Sequence, residues 1–415
     1  MGGFRTRGQP GASEVVRAFL AGTMPHALLL AGPPSVGKTT LGLDIAAALL
    51  CAADDPSGRP CRACRPCRMV DSGNHPDLHR VGPEGAAGQV GIGRVRELTT
   101  ELSLLPVEGG ARVAVVEAAH RMNEDAQNAL LKTLEEPPAG VTIVLCADEE
   151  ERLLPTVRSR CARVRLGPVG SRDIETILGE AGVADAALAG RLARLARGRP
   201  GLAMAYALSG EAATIRAEVA RSLVDLLAVG RAGRLVRIRE IVARADVAAA
   251  ALAAAAGSPG AAPATGRARG RARGTRRAAG SAAPVMSDAG PSDATADEPV
   301  EPAGQPDASA RAPDATAAST RGSAADRRRA SGWLLETWTD LARDLAALAV
   351  AGPTAVRDTA LLDELVAADA AIEPGAAAAF LPRLARAGMQ LEANVSPELL
   401  VDVLVLAWPR ARVAA

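Results

Sequence analysis

One stretch of eight residues restricts this chain more than any other: Gly32-Pro33-Pro34-Ser35-Val36-Gly37-Lys38-Thr39. It follows the apolar run 27–31 and opens the Ala- and Leu-rich segment 40–50. Strand, glycine-rich turn and helix in that order make a phosphate-binding loop, in which backbone N–H groups turn inward around an anion at the positive end of a helix. In this reading Gly32, Pro33, Pro34, Ser35, Val36, Gly37, Lys38, Thr39 and Thr40 surround the phosphates of ATP or ADP. Lys38 reaches the β and γ phosphates, and the Thr39 hydroxyl holds Mg²⁺. The bland alternative is a glycine-rich turn without a ligand. Lysine usage favours the functional reading: among 48 basic residues only Lys38 and Lys132 are lysine. A lysine kept in an arginine background points to a need for a compact point charge, which a planar guanidinium does not imitate.

A second motif stands just downstream. Cys51, Cys61, Cys64 and Cys67 account for four of the six cysteines, and C-x9-C-x2-C-x2-C reads as a tetrahedral thiolate site for structural Zn²⁺. Four protein ligands leave no open position, so the metal is expected to order the polar loop around it and to do no chemistry. The competing reading is free or redox-active cysteines. Cys146, at the end of an apolar strand, reads as a small buried hydrophobe, and His75 and His79 beside the cysteine loop read as surface residues.

The order of the remaining patterns sets the fold class. Residues 112–116 are an apolar run delivering Glu117 to the carboxyl edge of a buried parallel strand, where ligands of open α/β sheets bind. Asn123 is placed to cap the next helix, Pro137-Pro138 end it, and 141–146 form another buried strand. Strands alternating with helices around a phosphate loop predict a mainly parallel sheet covered on both faces. From Val169 onward the strand signal stops. Helices are expected at 173–181, 184–196, 202–208 and within 212–256. Between about 257 and 330 the composition shifts to Ala, Gly, Pro, Ser and charge, which reads as a disordered insertion. Its basic first part either touches DNA backbone weakly or is simply solvated. Helix is expected again from Trp333. The last helix carries Ser396 as N-cap, Pro397 and Glu398 in its first turn, and Leu399, Leu400, Val403, Leu404 and Leu406 as a buried face.

The net charge of +1 and 2% aromatic residues argue against a global nucleic-acid binder and against a base-stacking platform. No apolar run approaches a membrane span and the N-terminus lacks a signal-peptide core, so no membrane partner is expected and a cytoplasmic location is.

Taken together, the loop 32–39, the four-cysteine insert, the string Asn128-Ala129-Leu130-Leu131-Lys132-Thr133-Leu134-Glu135-Glu136-Pro137-Pro138 and Ser159-Arg160-Cys161 resemble the AAA+ subunits of the bacterial sliding-clamp loader. The likeness runs through residues 1 to about 210, and 394–406 is similar to the family's collar. It implies an α/β P-loop AAA+ domain with a zinc-module insert at 1–167, a small helical lid at 168–211 and an all-α collar domain at 212–415. It also implies assembly with motor (gamma/tau) and delta subunits, indirect action on the sliding clamp, and contact with primed DNA through the assembled ring. Arg94, Arg96 and Lys132 are the candidate phosphate contacts.

Departures from the family pattern are equally informative. The strand-end pair that reads Asp-Glu in motor subunits is Glu117-Ala118 here, which leaves Glu117 for magnesium and no carboxylate for the attacking water. General-base assistance contributes about 10² to 10⁴ in rate, so hydrolysis in this chain's own site is expected to be badly impaired. The polar sensor of the motor subunits falls at Cys146-Ala147, and their lid arginine falls at Gly201. Arg160, by contrast, matches the arginine that the family projects into a neighbour's ATP site, a finger supplied in trans. The resemblance thus implies a nucleotide holder that completes its neighbour's site. An active motor subunit and a standalone zinc-dependent nucleic-acid binder are the alternatives, the first requiring turnover despite Ala118 and the second strong, salt-sensitive DNA affinity.

Overall fold

The computed structural model describes residues 3–84, 88–108, 110–257, 323–393 and 395–412. The first part is built from α1 (Pro10–Ala21), β1 (Ala27–Ala31), α2 (Lys38–Leu49), α3 (Arg65–Asp71), β2 (Leu78–Val81), α4 (Ile92–Leu102), β3 (Arg112–Val116), α5 (Glu124–Glu135), β4 (Val141–Ala147), α6 (Pro155–Arg158) and β5 (Ala162–Arg165). The strands form one five-stranded sheet in the order β2-β3-β4-β1-β5, with every pairing parallel. Parallel strands are buried on both faces, and the period-2 alternation of side chains divides them between two cores. Ala27, Leu29 and Ala31 of β1 join Ala114 and Val116 of β3 on the face covered by α4, α5 and α6. Leu28 and Leu30 join Val113 and Val115 on the face covered by α1 and α2. Asn123 accepts from Ala126 N at 2.9 Å, so the expected cap of α5 is formed.

The β1 strand lies in the sheet interior, between β4 and β5. Its register sets Ala31 beside Ala147 and Arg165, so the turn that leaves β1 emerges beside the residue that follows β4. That placement brings together the loop 32–39 and Asp148, 110 or so residues apart in sequence. Arg163 and Arg165 on the outermost strand, β5, are exposed.

Beyond the sheet the chain is helical: α7 (Ser171–Glu180), α8 (Ala186–Ala196), α9 (Pro200–Leu208), α10 (Gly210–Asp225), α11 (Arg231–Gly257), α12 (Ala324–Ala351), α13 (Leu362–Ala371), α14 (Ala376–Glu392) and α15 (Pro397–Ala407). One core of buried residues runs from Val169 to Trp408, through all nine of these helices. All three tryptophans lie in it. Trp338, Phe380 and Trp408 stack at centroid distances of 5.8, 5.5 and 4.9 Å, and Trp333 Nε1 donates to the Tyr206 hydroxyl at 2.9 Å. Aromatic pairs at such spacings contribute about 0.5–1.5 kcal/mol beyond their buried area. Arg234, fully buried, donates to the carbonyls of Val405, Trp408 and Pro409, satisfying backbone groups that the end of α15 would otherwise leave unpaired. No single helix among the described residues is long and apolar enough to cross a membrane.

Three expectations need correction. The insertion expected at about 257–330 lies outside the described residues from 258 to 322, but its last residues are helix: α12 starts at Ala324, nine residues before Trp333. Ser323 accepts from Asp326 N while Asp326 accepts from Ser323 N, a capping box that starts a helix regardless of how polar its first turns are. The buried face of α15 is Leu400, Val401, Leu404 and Val405, while Leu399, Val403 and Leu406 are exposed. In a helix that is apolar nearly all round, periodicity leaves the orientation open. Lastly, His75 is buried and its Nδ1 accepts from Asp77 N at 3.1 Å, and His79 is half-buried with Nδ1 at 2.8 Å from Glu101.

Candidate nucleotide and metal sites

The turn leaving β1 has the backbone that a phosphate loop needs. Gly32 sits at φ 154°, and a Cβ there would meet Leu166 O at 2.1 Å, so only glycine fits. Gly37, at φ 106°, is the N-cap of α2. Val36 is buried beneath the turn, while Pro33, Pro34, Ser35 and Thr40 are exposed and Thr39 is half-buried. Thr39 lies beside the Cys146 thiol, which burial pushes up to about 12. Lys38 is only 6% exposed. Its ammonium donates to Gly32 O at 2.8 Å and Pro33 O at 2.5 Å, and pairs with Asp148 Oδ1 at 2.6 Å.

The surroundings of that lysine were only partly legible beforehand. Asp148 follows β4 immediately, one residue beyond the Cys146-Ala147 position, and was not singled out by the sequence. The signal was available: an acid just past the carboxyl end of a strand adjoining β1 falls at the edge where ligands of parallel sheets bind. Asp148 is itself positioned by His120, whose Nδ1 accepts from Asp148 N at 3.1 Å and whose Nε2 lies 3.8 Å from Asp148 Oδ2. Burial pushes the His120 imidazole below its usual range. An Nδ1 that accepts places the proton of the neutral ring on Nε2, facing the carboxylate.

Glu117, at the end of β3, accepts from Arg80 Nε at 3.0 Å and Nη2 at 2.6 Å. Ala118 takes a left-handed conformation, φ 48°, and its side chain is a methyl group. From the helical region, Gly201 N donates to Ser35 O at 2.9 Å. A Cβ on Gly201 would lie 3.1 Å from Ser35 O and 3.3 Å from Ser35 Cβ, so the first turn of α9 rests directly on the phosphate loop. Arg160 pairs with Glu135 at 2.5 Å and donates to Thr156 O at 2.9 Å. Arg160 is half-buried and Glu135 exposed; ion pairs open to solvent contribute about 0–1 kcal/mol.

The four cysteines converge although they come from different local structures. Cys51 follows α2, Cys61 and Cys64 lie in the loop, and Cys67 is in α3. All four Sγ atoms lie within 4.8 Å of one another, with Cys51 and Cys64 Sγ 3.9 Å apart. Zn–S bonds of about 2.3 Å in a tetrahedron require sulfurs about 3.8 Å apart, so the donor set fits zinc. Backbone N–H groups of Cys61 and Cys64 point at Cys51 Sγ and Cys61 Sγ, at 3.4 and 3.3 Å. Hydrogen bonds from Ala63 and Cys64 pull the Cys61 thiol down to about 6, whereas burial pushes Cys67 up. The module is tied to the rest of the domain by Arg62, which pairs with Asp44 and with Asp71, the latter at 2.7 Å, and donates to Gly3 O at 3.1 Å. Asp44, buried in mid-α2, also accepts from Arg5 N, Thr6 N and Thr6 Oγ1 at 2.7–2.9 Å.

The three candidate phosphate contacts differ. Arg94 is half-buried and paired with Glu84 at 3.2 Å and Glu97 at 2.6 Å. Arg96 on α4 and Lys132 on the adjoining α5 are exposed.

Residues 9–170 match the family described as DNA polymerase III, delta subunit. The chain is 39% identical over 199 residues to DNA polymerase III subunit delta' of Escherichia coli, covering 48% of this chain and 59% of that one. It is 33% identical over 172 residues to DNA polymerase III subunit gamma of Buchnera aphidicola, covering 40% of this chain and 46% of that one. It therefore spans about half the length of the curated relatives it matches. Among solved structures it is similar to the Thermotoga maritima RuvB Holliday junction branch migration motor, at 20% identity and a TM-score of 0.35 over 49% of this chain and 61% of that one. Over residues 9–170, the stretch that holds the strand-loop-helix and the four-cysteine insert, the chain is similar to the DNA polymerase III delta-subunit family, and among the relatives it resembles the delta' subunits.

Proposed function

We propose that this chain is the delta-prime subunit of a clamp loader: a rigid AAA+ member of the ring that holds nucleotide without turning it over and supplies Arg160 to a neighbouring motor subunit. The observation that carries this reading is the turn 32–39, with Gly32 and Gly37 at positive φ, together with Ala118 where the resemblance puts the base. Phosphoryl transfer depends on positioned groups, and a methyl group can neither orient nor deprotonate water. Glu117, engaged by Arg80, and Gly201, without a side chain to reach a phosphate, support the same conclusion. ATP or ADP with Mg²⁺ would be held by residues 32–40, and Zn²⁺ by Cys51, Cys61, Cys64 and Cys67.

Arg160 acts elsewhere. Its guanidinium is partly reachable from solvent and is held by the pair with Glu135 and a bond to Thr156 O; a γ-phosphate in a neighbour's site would be a stronger acceptor. Arginine fingers supplied in trans contribute about 10³ to 10⁵ in rate. The partners in this reading are gamma/tau and delta subunits in the cytoplasm, with the sliding clamp opened by the complex and primed DNA met through exposed Arg96 and Lys132. Residues 1–167, 168–211 and 212–415 would serve as nucleotide domain, lid and collar.

The test is the Arg160→Ala variant in a reconstituted loader. The expected outcome is unchanged nucleotide binding by the isolated chain and a fall of at least about tenfold in the ATPase of the assembled complex; equal complex activity would remove the trans role. The second reading, an active motor subunit, is kept in view by the 33% identity to a gamma subunit. It requires turnover by the isolated chain at the rate of a motor subunit.

A further inference from the structure

The Lys38 ammonium has three N–H donors and no more, and the chain itself fills all three. Two go to Gly32 O and Pro33 O, at 2.8 and 2.5 Å, and the third meets Asp148 Oδ1 at 2.6 Å. The carbonyls are part of the loop that carries the lysine. Asp148 is different: it comes from the neighbouring strand end, it is an acidic side chain, and its carboxylate takes up a Lys38 N–H that a phosphate oxygen would need. Its placement is set by one ring. His120 Nδ1 fixes the Asp148 backbone N–H, and the Nε2–H of the same ring faces the second carboxylate oxygen. The pair is desolvated on the lysine side, where exposure is 6%, and more open on the aspartate side, at 31%.

We infer that Asp148 is a built-in counterion that competes with nucleotide phosphate for Lys38, and that it weakens binding of a nucleoside triphosphate more than of a diphosphate. The inference rests on the reading of residues 32–40 as a nucleotide site. Binding of either nucleotide must break or share the Lys38–Asp148 pair. The triphosphate adds a further anionic group on the Lys38 side of the loop, next to a carboxylate, where lowered dielectric strengthens like-charge repulsion. Gly201 N bonded to Ser35 O closes the loop from the lid side. Together these contacts favour a nucleotide-poor or diphosphate-loaded subunit, in which the phosphate loop is kept in shape by the protein's own groups.

The experiment is a fluorescence titration of the full chain with mant-ATP and mant-ADP in the presence of Mg²⁺, for the parent, Asp148→Asn, Lys38→Ala and the double variant. Asp148→Asn keeps the shape of the side chain and removes the charge. The expected result is an affinity for mant-ATP at least about tenfold higher in Asp148→Asn than in the parent, a smaller gain for mant-ADP, and loss of both gains in the double variant. Equal mant-ATP affinity in Asp148→Asn and parent, with Lys38→Ala weaker than both, would overturn the counterion role while leaving the nucleotide site standing. Indistinguishable titrations for all four proteins would overturn the counterion role and the nucleotide-site reading together. Equal gains for mant-ATP and mant-ADP would overturn the triphosphate discrimination. Asp148→Ser serves as a second variant, and an unliganded thermal midpoint close to that of the parent shows that each protein is folded.

Discussion

Helix α2 carries a candidate ligand site at each end, about 18 Å apart at 1.5 Å per residue, and the two ends are prepared in opposite ways. At its C-terminal end four sulfurs converge within 4.8 Å, at spacings a tetrahedral zinc requires. Among the described residues two backbone N–H groups point at these sulfurs, and a metal cation would satisfy all four at once. At the N-terminal end the loop is already satisfied by the protein itself: Lys38 is neutralised by Asp148, and Ser35 O is taken up by Gly201 N. A site that depends on its ligand for order and a site that is ordered without it are both announced by strong sequence motifs. The motif identifies the ligand chemistry, whereas the surrounding contacts decide whether the ligand is required, tolerated or resisted.

The largest effect should come from breaking the metal end. Purified protein is expected to contain one equivalent of zinc by elemental analysis, and Cys51→Ser/Cys64→Ser to contain none. Structural zinc contributes about 10–16 kcal/mol of apparent binding energy in small modules. Part of that is lost to ordering the loop, so a thermal midpoint lower by roughly 10 °C or more is expected. Zinc-free parent protein with undiminished stability would erase the contrast between the two ends.

A middle-sized effect is expected at Asp44, which joins the ends. It accepts from Arg5 N, Thr6 N and Thr6 Oγ1 and pairs with Arg62 of the cysteine module. Asp44→Ala leaves those donors and a guanidinium without their shared acceptor, at a cost of about 3 kcal/mol. Urea unfolding measures it, and a loss below about 1 kcal/mol would mean that module and N-terminal segment are held independently. The smallest effect belongs to the lid contact. Gly201→Ala would stabilise a free helix by up to about 1 kcal/mol, but its Cβ would lie 3.1 Å from Ser35 O. A neutral or slightly negative change in urea midpoint is expected, and a gain near the full helix-propensity value would show that α9 does not rest on the phosphate loop in solution.

Much of this was readable from residue order alone. The alternation in β1, with Leu28 and Leu30 on one face and Ala27, Leu29 and Ala31 on the other, follows from period-2 geometry and needed no coordinates. The loop 32–39, the cysteine spacing, the Asn123 cap and the Ser396 start of α15 are local signals. Each depends on residues within sixteen positions of one another. The partners of Glu117, Arg160 and Lys38 were not readable, because Arg80, Glu135 and Asp148 lie 37, 25 and 110 positions away. His75 illustrates the same limit: a histidine in a polar stretch reads as exposed until the fold packs it away. So does α15, where the choice of Leu400 and Leu404 over Leu399 and Val403 was made by the helices it packs against.

The sequence by itself therefore determined which chemical groups this protein owns: a glycine-rich turn with a lysine at its end, a four-cysteine cluster, an arginine after Ser159, and an alanine after Glu117. These are matters of residue type and short spacing, which the backbone converts into local geometry with little freedom. The tertiary structure decided what each group is doing. It set Asp148 against Lys38, Arg80 against Glu117 and Gly201 against Ser35, because parallel strand order brings distant chain segments to one sheet edge and electrostatic pairing there depends on separations of a few ångströms.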